Sequence, residues 1–298
     1  MGNHQRLSTI PSFSEQKKVF VETLLKSEPV ARTKFILVIV ANTIDATIGK
    51  GCKEDLVSVR ELFVKLCAEM DFNFIELIVQ GEDYGKENIL ETIELLTPGD
   101  NDIVMFYYSG HGFSYEKDAA KKYPQVDLRS HPASDNIDVV NSNTENLADL
   151  FELIKSRGAR LNIVIGDCCN SMIDFKRNFK GGSKVVRNEK KEPVVINKKS
   201  CEVLFCDYAA SILVASAGKG EYAVSDDKLG SLFTYSFSKN LKMLMKKEID
   251  KSVGLPWGKL LEETTDKTFD LSKTYDIGGG VTGSQKAIYN IEFRKTLY

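Results

Sequence analysis

No apolar run in the sequence approaches the roughly 18–20 residues that a membrane-spanning helix needs, which argues against a spanning protein. Charge of one dominant sign is also missing. Forty Lys and Arg stand against 42 Asp and Glu, for a formal net charge of −2. That balance gives no reason to propose an anionic membrane or nucleic acid as the main partner. The six cysteines, at 52, 67, 168, 169, 201 and 206, lack metal-ligand spacing. Met1-Gly2-Asn3-His4-Gln5-Arg6 has no apolar core behind it, so a secretory signal is not expected; Gly2 followed by Ser8 misses the myristoylation spacing. Without such a signal the cysteines are expected to be reduced thiols and the protein cytoplasmic. Internal repeats are absent. What remains is an ordinary folded composition, 42% apolar and 28% charged over 298 residues, long enough for one large domain or two small ones.

Residues 1–32 are polar and mixed and are expected to form a tail or a weakly attached extra helix. From residue 33 to 294 the pattern is that of one domain of alternating strands and helices. Continuous apolar runs at Phe35–Val40, Phe74–Val79, Asp102–Tyr108, Leu161–Gly166 and Ile212–Ala215 predict strands buried on both faces, with Ala287–Phe293 as a closing strand. Helices are predicted at Asp55–Met70, Lys86–Leu96, Leu147–Ile154, Ser231–Met245 and Trp257–Thr268. The fold class is therefore α/β, an open and mostly parallel six-stranded sheet with helices on both faces. Residues 113–143 are expected to be a long polar connection. Lys176–Lys199 holds nine Lys or Arg in 24 residues, with Gly181-Gly182 inside. Such a composition buries too little apolar surface to offset its ordering entropy, so a mobile basic linker is expected over about 174–200.

Open α/β sheets bind ligands outside the carboxyl ends of their strands. Two strand ends carry unusual residues: Ser109-Gly110-His111-Gly112 after the third, and Asp167-Cys168-Cys169-Asn170-Ser171 after the fourth. If those strands are neighbours, an imidazole faces a thiol. A nearby imidazole is the usual means of raising the thiolate fraction of a cysteine nucleophile. The glycines let the backbone turn sharply and leave amides close to a substrate carbonyl. Strand alternation puts Asp167 and Cys169 on one side and Cys168 on the other. A carboxylate beside the nucleophile raises the thiol pKa, so Asp167 needs another role. It either receives a cationic substrate side chain or caps the following turn.

These two motifs resemble the signatures of the caspase clan, in the form found in metacaspases and their bacterial relatives. His111 and Cys169 are 58 residues apart, comparable with the roughly 50 of caspases. Gly51-Cys52-Lys53-Glu54-Asp55 is similar to the Gly-Cys-x-x-Asp element of metacaspases. The resemblance implies a cysteine endopeptidase acting on protein or peptide substrates, with Cys169 as nucleophile and His111 as its acid–base partner. It further implies an oxyanion hole from the amides of Gly112 and Cys169, and Asp55 and Asp167 binding Arg or Lys at P1. The basic linker falls where caspases separate their large and small segments, and Lys184, Arg187, Lys190 and Lys191 are candidate self-processing sites.

The sequence departs from the family at Asn170-Ser171-Met172, where metacaspases usually have His-Ser-Gly. The basic pocket motif that selects aspartate is absent, so cleavage after Asp is disfavoured. No cofactor is required for the chemistry. Calcium activation stays undecided, with Asp118, Asp127, Asp135, Asp138 and Asp174 as scattered candidates and no metal site assigned; oligomeric state is likewise unknown. The alternatives are a catalytically silent caspase-like scaffold, a redox sensor using Cys168 and Cys169, and a nonspecific nucleic-acid binder through the basic stretch.

Overall fold

The computed structural model describes residues 10–25, 32–116, 120–129, 136–172, 194–249, 256–277 and 280–294. The chain first runs through α1 (Phe13–Leu25), β1 (Lys34–Ala41), α2 (Gly49–Met70), β2 (Asn73–Gln80), α3 (Lys86–Glu94) and β3 (Ile103–Ser109). Next come β4 (Gly112–Phe113), β5 (Gln125–Asp127), α4 (Ile137–Ser142), β6 (Thr144–Asn146), α5 (Leu147–Lys155) and β7 (Leu161–Asp167). The last part holds α6 (Lys198–Phe205), β8 (Ala210–Ala215), β9 (Ser225–Asp226), β10 (Gly230–Ser231), α7 (Leu232–Lys246), α8 (Pro256–Ser272) and β11 (Ile288–Phe293).

Six strands form the central sheet in the order β11-β8-β7-β3-β1-β2, parallel throughout except that β11 runs antiparallel to β8. The unbroken apolar runs follow from burial on both faces. In β1, Phe35, Leu37, Ile39 and Ala41 pack with residues of α2, α6, α7 and α8. Ile36, Val38 and Val40 point the other way, into a second core built with α1, α3 and α5. Alternate residues of one strand thus feed two cores, as the pleat dictates.

The N-terminal helix is docked rather than weakly attached. Phe13 and Phe20 are buried in the second core. Gln16 hydrogen-bonds both backbone groups of Ile78, accepting from its N–H at 2.8 Å and donating to its carbonyl at 3.3 Å. That amide satisfies the outer edge of β2, the strand at one border of the sheet. The expected linker also ends earlier than residue 200. Val194 and Ile196 pack against the core, Lys198 opens α6, and Ser200 and Cys201 are buried. The expected polar connection over 113–143 begins within β4 and contains β5, and these with β6 form a three-stranded antiparallel sheet beside the carboxyl ends of the main strands. Lys184, Arg187, Lys190 and Lys191 lie outside the described residues.

Candidate active site

Strands β1, β3 and β7 are neighbours and end side by side. Register pairs Ala41 with Ser109, and Ser109 with Asp167. Chain order reverses at β1, with β2 on one side and β3 on the other, and a crevice at such a switch point is the usual ligand site of an open α/β sheet. The loop after β1 carries Asp45, the loop after β3 carries His111, and β7 runs directly into Cys168 and Cys169. His111, Cys169, Asp55 and Asp167 line one cleft, together with Cys52, Cys168, Ala223, Ser225 and Ser231. The expected nucleophile, its histidine partner and the two expected P1 acids therefore share one cleft.

Backbone bonds fix the loop that carries His111. Its carbonyl accepts from the Asp127 N–H at 3.0 Å and lies 2.7 Å from the Tyr108 hydroxyl. The Asp127–His111 bond makes Gly112 and Val126 the non-hydrogen-bonded pair of the β4–β5 ribbon, so the ladder does not use the Gly112 amide. A Cβ at Gly112 would sit 2.5 Å from Cys168 Sγ and 2.6 Å from the Cys169 carbonyl oxygen. Only glycine lets these two backbone segments lie this close. Among the described residues the Cys169 amide has no acceptor either, leaving two N–H donors at the junction of the two motifs.

His111 Nε2 lies 3.0 Å from Asp45 Oδ2. The Asp45 side chain is 3% exposed and that of His111 35%. Asp45 Oδ1 accepts from Thr47 N at 2.8 Å, Thr47 Oγ1 at 2.6 Å and Ile48 N at 3.0 Å. Burial works against ionisation of Asp45, but the bond and charge of His111 and the other donors outweigh it and hold the carboxyl well below its ordinary range. Cys169 is partly exposed, whereas Cys168 is buried. Burial pushes the Cys169 thiol up to about 11, opposed by the Ala223 amide and reinforced by the charge of Asp167. The Ala223 N–H donates to Sγ at 3.3 Å. Burial raises Cys168 further still. His111 bonds to Asp45 rather than to the sulfur.

Asp55 and Asp167 are both buried, at 1% and 4% exposure. Asp55 accepts from Ser109 Oγ at 2.8 Å and from Ser231 N at 2.8 Å. Asp167 Oδ2 accepts from Thr234 Oγ1 at 2.5 Å and Thr234 N at 3.2 Å. Its Oδ1 is buried and has no hydrogen-bond partner. Burial raises the pKa of both acids, and in Asp55 the charge of Asp167 adds to it. Among the described residues, no Lys or Arg pairs with either.

Sequence reasoning missed Asp45, Ser109, Ser231 and Thr234. Asp45 lies just past a third strand end and two residues before Thr47, the spacing of an Asx-type turn ahead of a helix, so a signal for it existed. The hydroxyl donors gave none, because their acceptors come from distant segments. Asn170 is fully buried. Its Nδ2 donates to the carbonyls of Lys122 at 3.1 Å and Ala217 at 3.2 Å, and its Oδ1 accepts from Ser114 Oγ. Two of the calcium candidates are described. Asp127 is ion-paired with Arg129 at 2.6 Å, Asp138 is exposed in the first turn of α4, and Asp118, Asp135 and Asp174 lie outside the described residues. Among those described, no group of three or more His, Cys, Asp or Glu could hold a metal ion.

The profile of the Caspase domain family (Peptidase_C14) matches residues 33–270. The chain belongs to that family. The match spans both the His111 and the Cys169 motifs, and the family identifies the domain as a caspase-like cysteine peptidase, a hydrolase of protein or peptide substrates. It stops short of β11, which closes the sheet. The crystal structure of caspase-1 from Spodoptera frugiperda has the same fold, with a TM-score of 0.50 and 12% sequence identity over 90% of this chain and 95% of that chain. No curated protein matches the chain by sequence. No helix among the described residues is long and apolar enough to cross a membrane.

Proposed function

We propose that this caspase-like domain is a cysteine endopeptidase of the metacaspase type that cleaves after Arg or Lys. One observation carries the reading. Two buried acids, Asp55 and Asp167, share a cleft with His111 and Cys169, and one carboxylate oxygen there has no hydrogen-bond partner. Buried carboxyls without a counter-ion are unfavourable unless a cation arrives to pair with them. A P1 guanidinium supplies both charge and donors, and its planar fork suits two carboxylates better than an ammonium does. Arg is therefore preferred over Lys.

In the proposed reaction, His111 takes the Cys169 proton and the sulfur attacks the scissile carbonyl carbon. The oxyanion receives the amides of Gly112 and Cys169, where each donor contributes roughly 10²–10³ in rate. His111 then protonates the leaving amine, and water hydrolyses the thioester through the same pair. Burial that raises the Cys169 thiol favours a thiolate formed by proton transfer to His111. Self-processing at Lys184, Arg187, Lys190 or Lys191 matches the same P1 preference, and a cytoplasmic setting suits reduced thiols. The test is to profile purified protein, with and without calcium, against peptides varied only at P1. Cleavage after Asp with no turnover of Arg would overturn the assignment of Asp55 and Asp167. A silent scaffold would turn over nothing and would show no alkylation dependent on Cys169.

A further inference from the structure

We infer that Asp45 is the positioning residue of a Cys169–His111–Asp45 triad, holding His111 in the tautomer with its proton on Nε2. The inference rests on the proposed roles of His111 and Cys169. The 3.0 Å contact runs from His111 Nε2 to Asp45 Oδ2, and an ionised carboxylate only accepts, so Nε2 carries the hydrogen. Nδ1 has no partner among the described residues. Its lone pair is the one available to take a proton from sulfur. When the Cys169 S–H proton moves to Nδ1, the ring becomes an imidazolium with both nitrogens protonated. The Asp45 charge then stabilises the cation without taking its proton. Later the Nδ1 proton passes to the leaving amine, and the ring returns to its starting tautomer.

The other three bonds to Asp45 fix which oxygen faces the histidine. Oδ1 is occupied by Thr47 N, Thr47 Oγ1 and Ile48 N, so the carboxyl cannot turn without orphaning donors next to a helix start. Those bonds alone would account for a purely structural aspartate. They would not account for Oδ2 lying on the histidine ring in a side chain that is 3% exposed.

Asp45→Asn separates the two roles. Asparagine keeps an acceptor for Thr47 and Ile48 and so keeps its orientation, which presents an NH₂ group to Nε2. The ring must then accept at Nε2 and carry its hydrogen on Nδ1, where it blocks transfer from sulfur. In wild type and Asp45→Asn, kcat and KM on an Arg peptide would be measured from pH 6 to 10, with Tm and iodoacetamide alkylation of Cys169. The expected result is a loss of roughly 10²–10⁴ in kcat at neutral pH, with little change in KM or Tm. The deficit should shrink toward pH 10 as thiolate forms without His111. Asp55, Asp167, Cys52 and Cys168 also line the cleft, but they titrate in both proteins, so the ratio of the two profiles isolates Asp45. An Asp45→Asn enzyme with wild-type kcat at pH 7 overturns the inference. Nitrogen NMR of ¹⁵N-histidine wild type needs no variant: a pyrrole-like Nε2 and pyridine-like Nδ1 support it, and the reverse overturns it. If Cys169→Ala keeps full activity, the catalytic assignment itself fails, an outcome distinct from a neutral Asp45→Asn.

Discussion

Replacing Asp167 by Asn should affect activity and stability in opposite directions. One Asp167 oxygen is taken up by Thr234, while the other is buried with no partner. Under the proposed specificity, an Arg at P1 would pair that second oxygen. Losing one member of a buried, hydrogen-bonded ion pair costs about 3–5 kcal/mol, a fall of roughly 150- to 4,500-fold in kcat/KM. Peptides with an uncharged P1 residue should be affected far less. Stability moves the other way. Burial lifts the Asp167 carboxyl above its ordinary 3.8, against the lowering of hydroxyl donors, so the folded state binds a proton more tightly than the unfolded chain. Such a group contributes most at acid pH, and its contribution falls as pH rises from about 3.8 through the raised value. Asparagine keeps an acceptor for Thr234 and has no charge to desolvate. Its melting temperature should match or exceed that of wild type at pH 7–8 and should fall less between pH 5 and 8. For a domain this size about 1 kcal/mol corresponds to about 2–4 °C, which calorimetry resolves. The reasoning is refuted if Asp167→Asn loses the same factor on every P1 residue, or if it melts well below wild type across that range. Either result would make Asp167 a structural residue.

Cys169→Ala should abolish turnover, whereas Cys168→Ser should keep most of it while melting lower, since Cys168 is 2% exposed in an apolar core; a folded but dead Cys168→Ser would reverse the assignment. Gly112→Ala forces a methyl to within 2.6 Å of Cys168 Sγ and the Cys169 carbonyl, so kcat should fall roughly 10²–10³-fold through a displaced oxyanion donor, more than KM changes. Incubated wild type should acquire new termini after Lys184, Arg187, Lys190 or Lys191 that Cys169→Ala lacks, as read by mass spectrometry; identical fragments in both would indicate a contaminating protease.

The legible parts of the fold are those whose sequence signal is local. Strands buried on both faces read as unbroken apolar runs, and Lys34–Ala41 exceeds the predicted Phe35–Val40 by one residue at each end. Helix α2 begins six residues before the predicted Asp55. Gly49 and Gly51 fall in its first turn, where a Cβ at Gly49 would come within 2.7 Å of the Thr43 carbonyl and one at Gly51 would meet the Ser225 hydroxyl. Those glycines answer close packing, which propensity does not encode. The small β4-β5-β6 sheet escaped because its strands are two or three residues long, shorter than any readable alternation. Helix α6 was lost because Lys198 and Lys199 continue a basic run, while its buried face, Cys201, Leu204 and Phe205, spans a single eight-residue helix.

The candidate site divides along the same line. His111 and Cys169 were legible because each follows directly on a strand and carries distinctive neighbours. Asp45 is 66 residues from His111, and only the strand order, with β1 beside β3, brings the two together. The departure at Asn170 is also explained by contacts that no local pattern reveals. Where the similar motif has histidine, this chain needs two donors and an acceptor in one buried side chain, for Lys122, Ala217 and Ser114. The Asn170 backbone adds an N–H to the Glu221 carbonyl at 3.0 Å and accepts from Gly220 at 2.8 Å. An imidazole has two ring nitrogens and cannot supply all three side-chain bonds. Asn170 therefore ties the segment after Cys169 to the Ser114 strand end and to the loop containing Ala217–Glu221. That same loop continues to Ala223, whose N–H meets the sulfur. The substitution lies in the frame that holds Cys169 and leaves the cleft-facing groups, His111, Asp55 and Asp167, as the motifs place them.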